Sequence, residues 1–124
     1  MTTPKSILIV DDSSMVRTAT RHFLESQTQY HVCGEAVDGL DAIDKARHLD
    51  PDLIILDLQM PRMNGLQTAR ELRCRNVAAP IILFTNYADA VRPADATAAG
   101  VTAVVNKGDL EGLRRHVDVL LVSV

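Results

Sequence analysis

Short apolar runs alternate with amphipathic stretches along the whole chain. Ser6–Val10 reads as a buried strand, and a helix opens near Ser13. Val16, Ala19, Phe23 and Leu24 recur at helical spacing, which predicts one inward face for that helix. Val32–Ala36 is a second, weaker strand interrupted by Gly34. The next predicted helix runs from Asp38 to His48, with Leu40, Ile43, Ala46 and the aliphatic stem of Arg47 turned inward. Leu53–Leu56 is an unbroken apolar run between Pro51 and Asp57. Such runs belong to strands covered on both faces, as in a parallel sheet. A third helix starts after Asn64, an apt N-cap, and Gln67 three residues on completes a capping box. Ile81–Phe84, introduced by Pro80, and Val101–Val105, introduced by Gly100, read as the fourth and fifth strands. Between them Ala88–Ala99 favours a helix but contains Pro93, so a short or late-starting helix with Pro93 in its first turn is predicted. A last helix opens at Asp109 and carries Leu110, Leu113, Val117, Leu120 and Leu121 as one stripe.

Five strands alternating with five helices predict an α/β fold of the doubly wound (βα)₅ kind, a five-stranded parallel sheet with helices on both faces. The chain shows no repeat, low-complexity tract or internal linker, and residues 1–124 read as a single domain. Aromatic residues make up 3% and Trp is absent, so the core has to be built from Val, Ile, Leu and Ala.

The formal net charge is −3, with both signs mixed along the chain. That argues against nucleic acid as a direct partner, which needs a concentrated basic face. Cys33 and Cys74 lie in unrelated contexts and read as buried or half-buried thiols in a reducing compartment. No apolar stretch approaches membrane-spanning length, and a soluble, cytoplasmic protein without membrane contact is expected. The apolar end Val119–Val124 reads first as a buried helix terminus. A sharper alternative packs it on a second protomer or an absent output domain.

Chemistry gathers where the strands end. In open α/β sheets ligands bind beyond the carboxyl ends of the strands. Asp11 and Asp12 follow the first strand, Asp57 the third, Thr85 the fourth, and Lys107 comes near the end of the fifth. Taken singly, each has a plain reading: an aspartate cap or turn former, a β-branched strand end, a solvated lysine. Parallel strands would bring all five to one rim, which argues against five separate accidents. Three carboxylates packed together repel unless a cation neutralises them. Mg²⁺ fits best, since it takes one or two carboxylates, keeps several waters and completes its shell with phosphate oxygens. Lys107 and Thr85 suit an anion approaching from the other side. A carboxylate beside such a metal can act as the nucleophile in phosphoryl transfer.

These residues, with the stretch Asp57-Leu58-Gln59-Met60-Pro61-Arg62-Met63-Asn64-Gly65, resemble the receiver domain of two-component response regulators over essentially the whole chain. The resemblance implies a chemotaxis-regulator-like fold with flavodoxin-like strand order 2-1-3-4-5. It implies Asp57 as phosphoacceptor for a phosphoryl group drawn from a sensor histidine kinase or phosphotransfer protein. Asp12 would ligate Mg²⁺ directly, Asp11 through water, with Asp57 and the backbone carbonyl of Gln59 completing the protein's share. Thr85 and Lys107 would bind the phosphoryl oxygens and report their arrival to the surface around the fourth helix and fifth strand. The chain would then be no enzyme on other substrates, catalysing only its own phosphorylation and dephosphorylation, and would signal to an output domain, a partner protein or a second copy.

Four departures from the family's habit stand out, the last of them a pair of positions. Val104 stands where Tyr or Phe is usual, Asn86 where Ala or Gly is usual, and Gly108 where Pro is common. Gln59 and Tyr87 occupy positions that tune acyl-phosphate lifetime in relatives. A haloacid-dehalogenase-type phosphatase would need an acidic residue at Gln59 as proton donor. A flavodoxin-like carrier would need a hydroxyl-rich phosphate loop where Asp11-Asp12 stand, and no GxGxxG or GxxxxGK[ST] marks a nucleotide site. The remaining alternative is a degenerate receiver that binds partners without phosphorylation. It would be marked by loss of the acidic pair, Asp57 or Lys107, and all are retained.

Overall fold

A computed structural model describes residues 4–122. Five parallel strands, β1 (Ser6–Val10), β2 (His31–Ala36), β3 (Leu53–Leu56), β4 (Ile81–Thr85) and β5 (Ala103–Asn106), form one sheet in the order β2-β1-β3-β4-β5. The helices between and after them are α1 (Ser14–Gln27), α2 (Gly39–Leu49), α3 (Gly65–Cys74), α4 (Pro93–Ala98) and α5 (Leu110–Leu121). A single 3-10 turn, Ala88–Ala90, precedes α4, and Pro93 occupies the first turn of that helix as predicted.

Strand periodicity splits the core into two layers. Ile7 and Ile9 of β1 join Leu53 and Ile55 of β3 beneath Leu24 of α1 and Leu113, Val117 and Leu121 of α5. Leu8 and Val10 join Ile54 and Leu56 beneath α2, α3 and α4 through residues such as Ile43, Leu72 and Ala96. The central strands are buried on both faces, so neither layer faces water. Between Ile7 and Leu8 the β1–β2 register slips by one residue, leaving Cys33 without a partner on β1. This bulge is the physical form of the interruption at Gly34.

Several helix faces are rotated from the sequence expectation. Leu40 is 63% exposed and Arg47 is exposed, while Ala42, Ile43 and Ala46 make the inward face of α2. Gly39 sets that phase: a Cβ there would lie 2.5 Å from Thr68 Oγ1 and 2.8 Å from Met63 Sδ, so α2 approaches α3 along its glycine edge. In α1 Thr20 takes the inward place expected of Ala19, which is exposed. Leu110 is exposed as well, and Gly112 fills the inward position at the start of α5.

The fifth strand begins later than the predicted Val101. The Val101 amide donates to Ala96 O at 2.9 Å and Gly100 adopts φ +83, so both residues close α4 instead of entering the sheet. Cys33 is half-buried, and Cys74 is exposed, unlike its expected burial. At the C-terminus Leu121 is buried while Val119 and Val122 are exposed, so the expected buried end holds on one face only. Ser123 and Val124 lie outside the described residues.

Candidate functional site

The sheet ladder runs one residue past the strands at the carboxyl rim and pins the polar residues there. The Asp11 amide donates to Ala36 O at 3.1 Å, the Asp57 amide to Val10 O at 2.9 Å and the Lys107 amide to Thr85 O at 3.0 Å. Their backbones are therefore as fixed as the strands themselves, which is what a preorganised site requires. Carboxylate oxygens of Asp11, Asp12 and Asp57 lie within 4.8 Å of one another. Asp11 and Asp57 are buried and Asp12 is exposed, so the trio opens to solvent on the Asp12 side.

Lys107 Nζ stands 2.7 Å from Asp11 Oδ2 and 3.3 Å from Asp57 Oδ2. Burial raises the Asp57 carboxyl above its usual range and the Asp11 charge adds to this, while Lys107 works against both. Burial disfavours the Lys107 ammonium, but Asp11 and Asp57 outweigh it and carry its pKa upward. Lys107 stays charged, and a cation arriving beside Asp57 would relieve the cost of holding its carboxylate here. The Asp11 Oδ1 oxygen accepts from the Ser13 amide at 2.9 Å, tying it to the start of α1.

Thr85 is fully buried at the end of β4. Its Oγ1 accepts from the Tyr87 amide at 3.1 Å, so the hydroxyl proton is left for another partner. Gln59 is exposed and lines a cleft with Asp12, Leu58, Met60, Pro61 and Asn64. The loop from Asp57 into α3 closes through the Gly65 amide, which donates to Leu58 O at 2.7 Å, and through the reciprocal Asn64–Gln67 capping box. Asp11, Asp12, Asp57 and Lys107 thus share one rim, with Thr85 on the adjoining strand end and Gln59 at the cleft's outer wall.

The other unusual positions also have places. Val104 is half-buried against the α2–α4 side of the core, lining a groove with Val91 and Ala96. Asn86 is exposed, and Tyr87 is 50% exposed. Among the described residues no peptide bond is cis, the Lys107–Gly108 bond included. Sequence reasoning passed over Arg17, whose Nη1 donates to the Asp11 carbonyl at 2.7 Å. A cation between Val16 and the inward Thr20 was the available signal.

A doubly wound parallel sheet gathers three carboxylates and a lysine at the carboxyl ends of its strands, an arrangement suited to phosphoryl chemistry. The chain belongs to the response regulator receiver domain family, whose model matches residues 7–118. Protein-glutamate methylesterase/protein-glutamine glutaminase 3 of Paramagnetospirillum magneticum is 40% identical over 113 residues, 91% of this chain and 32% of that protein. The nitrate/nitrite response regulator protein NarL of Escherichia coli is 43% identical over 82 residues, 66% of this chain and 38% of that protein. The chain therefore spans about a third of the length of these curated relatives. A two-component response regulator of the LuxR family from Aurantimonas superposes with TM-score 0.87 at 30% identity, covering 96% of this chain and 86% of that one. The response regulator domain of Thermotoga maritima CheB gives TM-score 0.87 at 23% identity, covering 98% and 100% of the two chains, which is a likeness of fold. Among the described residues no helix is long and apolar enough to cross a membrane.

Proposed function

We propose that residues 1–124 act as one receiver that takes a phosphoryl group onto Asp57 from a histidine kinase or phosphotransfer protein in a Mg²⁺-dependent reaction. The observation that carries this reading is the Lys107 ammonium set between Asp11 and Asp57, beside an acidic trio open to solvent at Asp12. An all-oxygen donor set of this size fits a hard divalent cation. Asp12, Asp57 and the Gln59 carbonyl would hold it directly and Asp11 through water. Bound there, it would neutralise charge on the carboxylates and on the entering phosphoryl oxygens.

An Asp57 oxygen attacks phosphorus, the bond to the donor's nitrogen or oxygen breaks, and its electron pair leaves with the donor group. A histidine donor then takes a proton from water, whereas acetate leaves as the anion. Lys107 transfers its hydrogen bonding from the Asp57 carboxylate to a phosphoryl oxygen, and the Thr85 hydroxyl donates to another. That re-pairing at the ends of β4 and β5 biases the neighbouring α4 surface, which would engage an output domain, a partner protein or a second copy. The domain changes no substrate but itself and works in the cytoplasm.

The test is intact mass after incubation with acetyl phosphate, with and without Mg²⁺. One Mg²⁺-dependent phosphoryl adduct that Asp57→Asn abolishes is the expected result. A chain that accepts no phosphoryl group from acetyl phosphate or from any kinase would instead be a receiver that signals by binding alone.

Tyr87 gives this reading a further consequence. With Val104 too small to switch as an aromatic would, Tyr87 takes part of that role and shields the acyl phosphate from water. Tyr87→Ala is expected to shorten the adduct's lifetime severalfold, about 1 kcal/mol of barrier, followed by loss of phosphate from purified adduct. Unchanged lifetime and unchanged partner binding would sink the idea.

A further inference from the structure

Arg17 closes the first turn of α1, and only 13% of its side chain is exposed. While Nη1 holds the Asp11 carbonyl at 2.7 Å, Nε donates to Glu35 Oε1 on β2 at 3.0 Å. Glu35 is itself held: its other carboxylate oxygen accepts from Arg21 Nη1 at 2.6 Å, and its backbone carbonyl accepts from Lys45 Nζ. Arg21 donates onward to Val32 O at 3.2 Å. The Arg17 guanidinium is thus a planar fork with one side fastened to β2 and the other to the end of β1.

The carbonyl that it grips belongs to the peptide joining Asp11 to Asp12. The plane of that peptide sets the direction in which the chain delivers Asp12. Asp11 has other restraints, through its amide on Ala36 O, its Oδ1 on the Ser13 amide and its Oδ2 on Lys107. Asp12 is exposed, so its aim follows the peptide before it.

We propose that Arg17 is a positioning residue for the divalent cation: braced by Glu35, it locks the Asp11–Asp12 peptide in the arrangement that presents the acidic pair to Mg²⁺. The role rests on the metal-dependent reading given above. Geometry and plain charge pull in opposite directions here, which makes them separable. As a charge, a guanidinium held on the Asp11 carbonyl repels a cation arriving at the acidic trio and weakens its binding. As a brace it strengthens binding, in the manner of outer-shell partners whose loss costs roughly 10–100-fold in metal affinity.

The experiment is an Mg²⁺ titration of the full chain without phosphoryl donor, read from amide NMR shifts, with melting temperature recorded for each variant. Arg17→Met and Arg17→Lys are each expected to raise the Mg²⁺ dissociation constant about tenfold or more, with the largest shift changes at Asp11 and Asp12. Arg21→Met removes the same charge from the same cluster without touching Asp11 and is expected to stay within about twofold of wild type. Where Arg17→Met folds poorly, Arg17→Lys, which keeps the cation but not the fork, carries the comparison. Wild-type affinity in Arg17→Lys, tighter binding in Arg17→Met, or equal weakening in Arg21→Met would each overturn the positioning role. A wild-type chain that binds no Mg²⁺ would overturn the metal-dependent reading itself, a result distinct from any of these.

Discussion

Replacing Gly65 with alanine is expected to cost the fold about 3 kcal/mol in a urea melt and to abolish the phosphoryl adduct on Asp57. Gly65 opens α3 immediately after the loop that carries Asp57, and its amide donates to Leu58 O at 2.7 Å. A Cβ at this position would overlap the Asp57 carbonyl oxygen and would lie 2.8 Å from Leu83 Cδ1 and 2.9 Å from Leu58 Cα. Two of those three atoms are backbone and cannot rotate aside. Relief requires either lifting the start of α3 from the sheet or shifting the peptide on which Asp57 is mounted. Overpacking a close-fitted site costs about 1–3 kcal/mol, and the rigid partners place this one at the upper end. The lost adduct is the more telling readout, because a displacement of about 1 Å at a reacting group lowers rates by about 100-fold. An alanine variant that melts like wild type and is phosphorylated at the same rate would show that the loop yields freely, contrary to this account.

The same close approaches explain which parts of the molecule were legible in the sequence. Leu53–Leu56 and Ile81–Phe84 announced themselves because strands covered on both faces need unbroken apolar runs, and both are buried throughout. The rim followed from parallel alternation alone: once the strands run one way, Asp11, Asp57, Thr85 and Lys107 must share an end. Helix phase was less legible, because an apolar residue on a helix flank can face either way. Leu40 and Leu110 are exposed since Gly39 and Gly112 lie on the inward faces, and a glycine carries no hydrophobic signal for a pattern to find. Val101 is apolar and buried, yet its amide caps α4, a choice set by the left-handed Gly100 before it. Arg17 escaped notice for a related reason. Its partners, the Asp11 carbonyl and Glu35, lie 6 and 18 positions away, and no local pattern joins them.

Charge at the rim leads to the second expectation, that removing either sign moves stability in opposite directions. In metal-free protein Asp57→Asn is expected to raise the melting temperature, and Lys107→Met to lower stability by about 3 kcal/mol at neutral pH. Burial and the Asp11 charge raise the Asp57 carboxyl above its ordinary 3.8. The folded protein therefore retains a proton that the unfolded chain has already released, so stability declines as pH rises from about 4 through the folded value. Asparagine removes that decline and flattens the curve across the same window. Lys107 acts with the other sign. Asp11 and Asp57 raise it above 10.5, so its stabilising share is complete below that pH and is lost as pH climbs through the higher folded value. Methionine in its place leaves two buried carboxylates facing each other without a cation. The penalty then shrinks as pH falls, because Asp57 can take up a proton, and Mg²⁺ should stabilise Lys107→Met more than it stabilises Asp57→Asn. Thermal melts across pH in chelator and in Mg²⁺ measure all of this. An Asp57→Asn protein less stable than wild type in chelator would mean that the Asp57–Lys107 pair outweighs the repulsion from Asp11. The rim would then be held together by its ion pair, with no strain between its carboxylates for a metal ion to relieve.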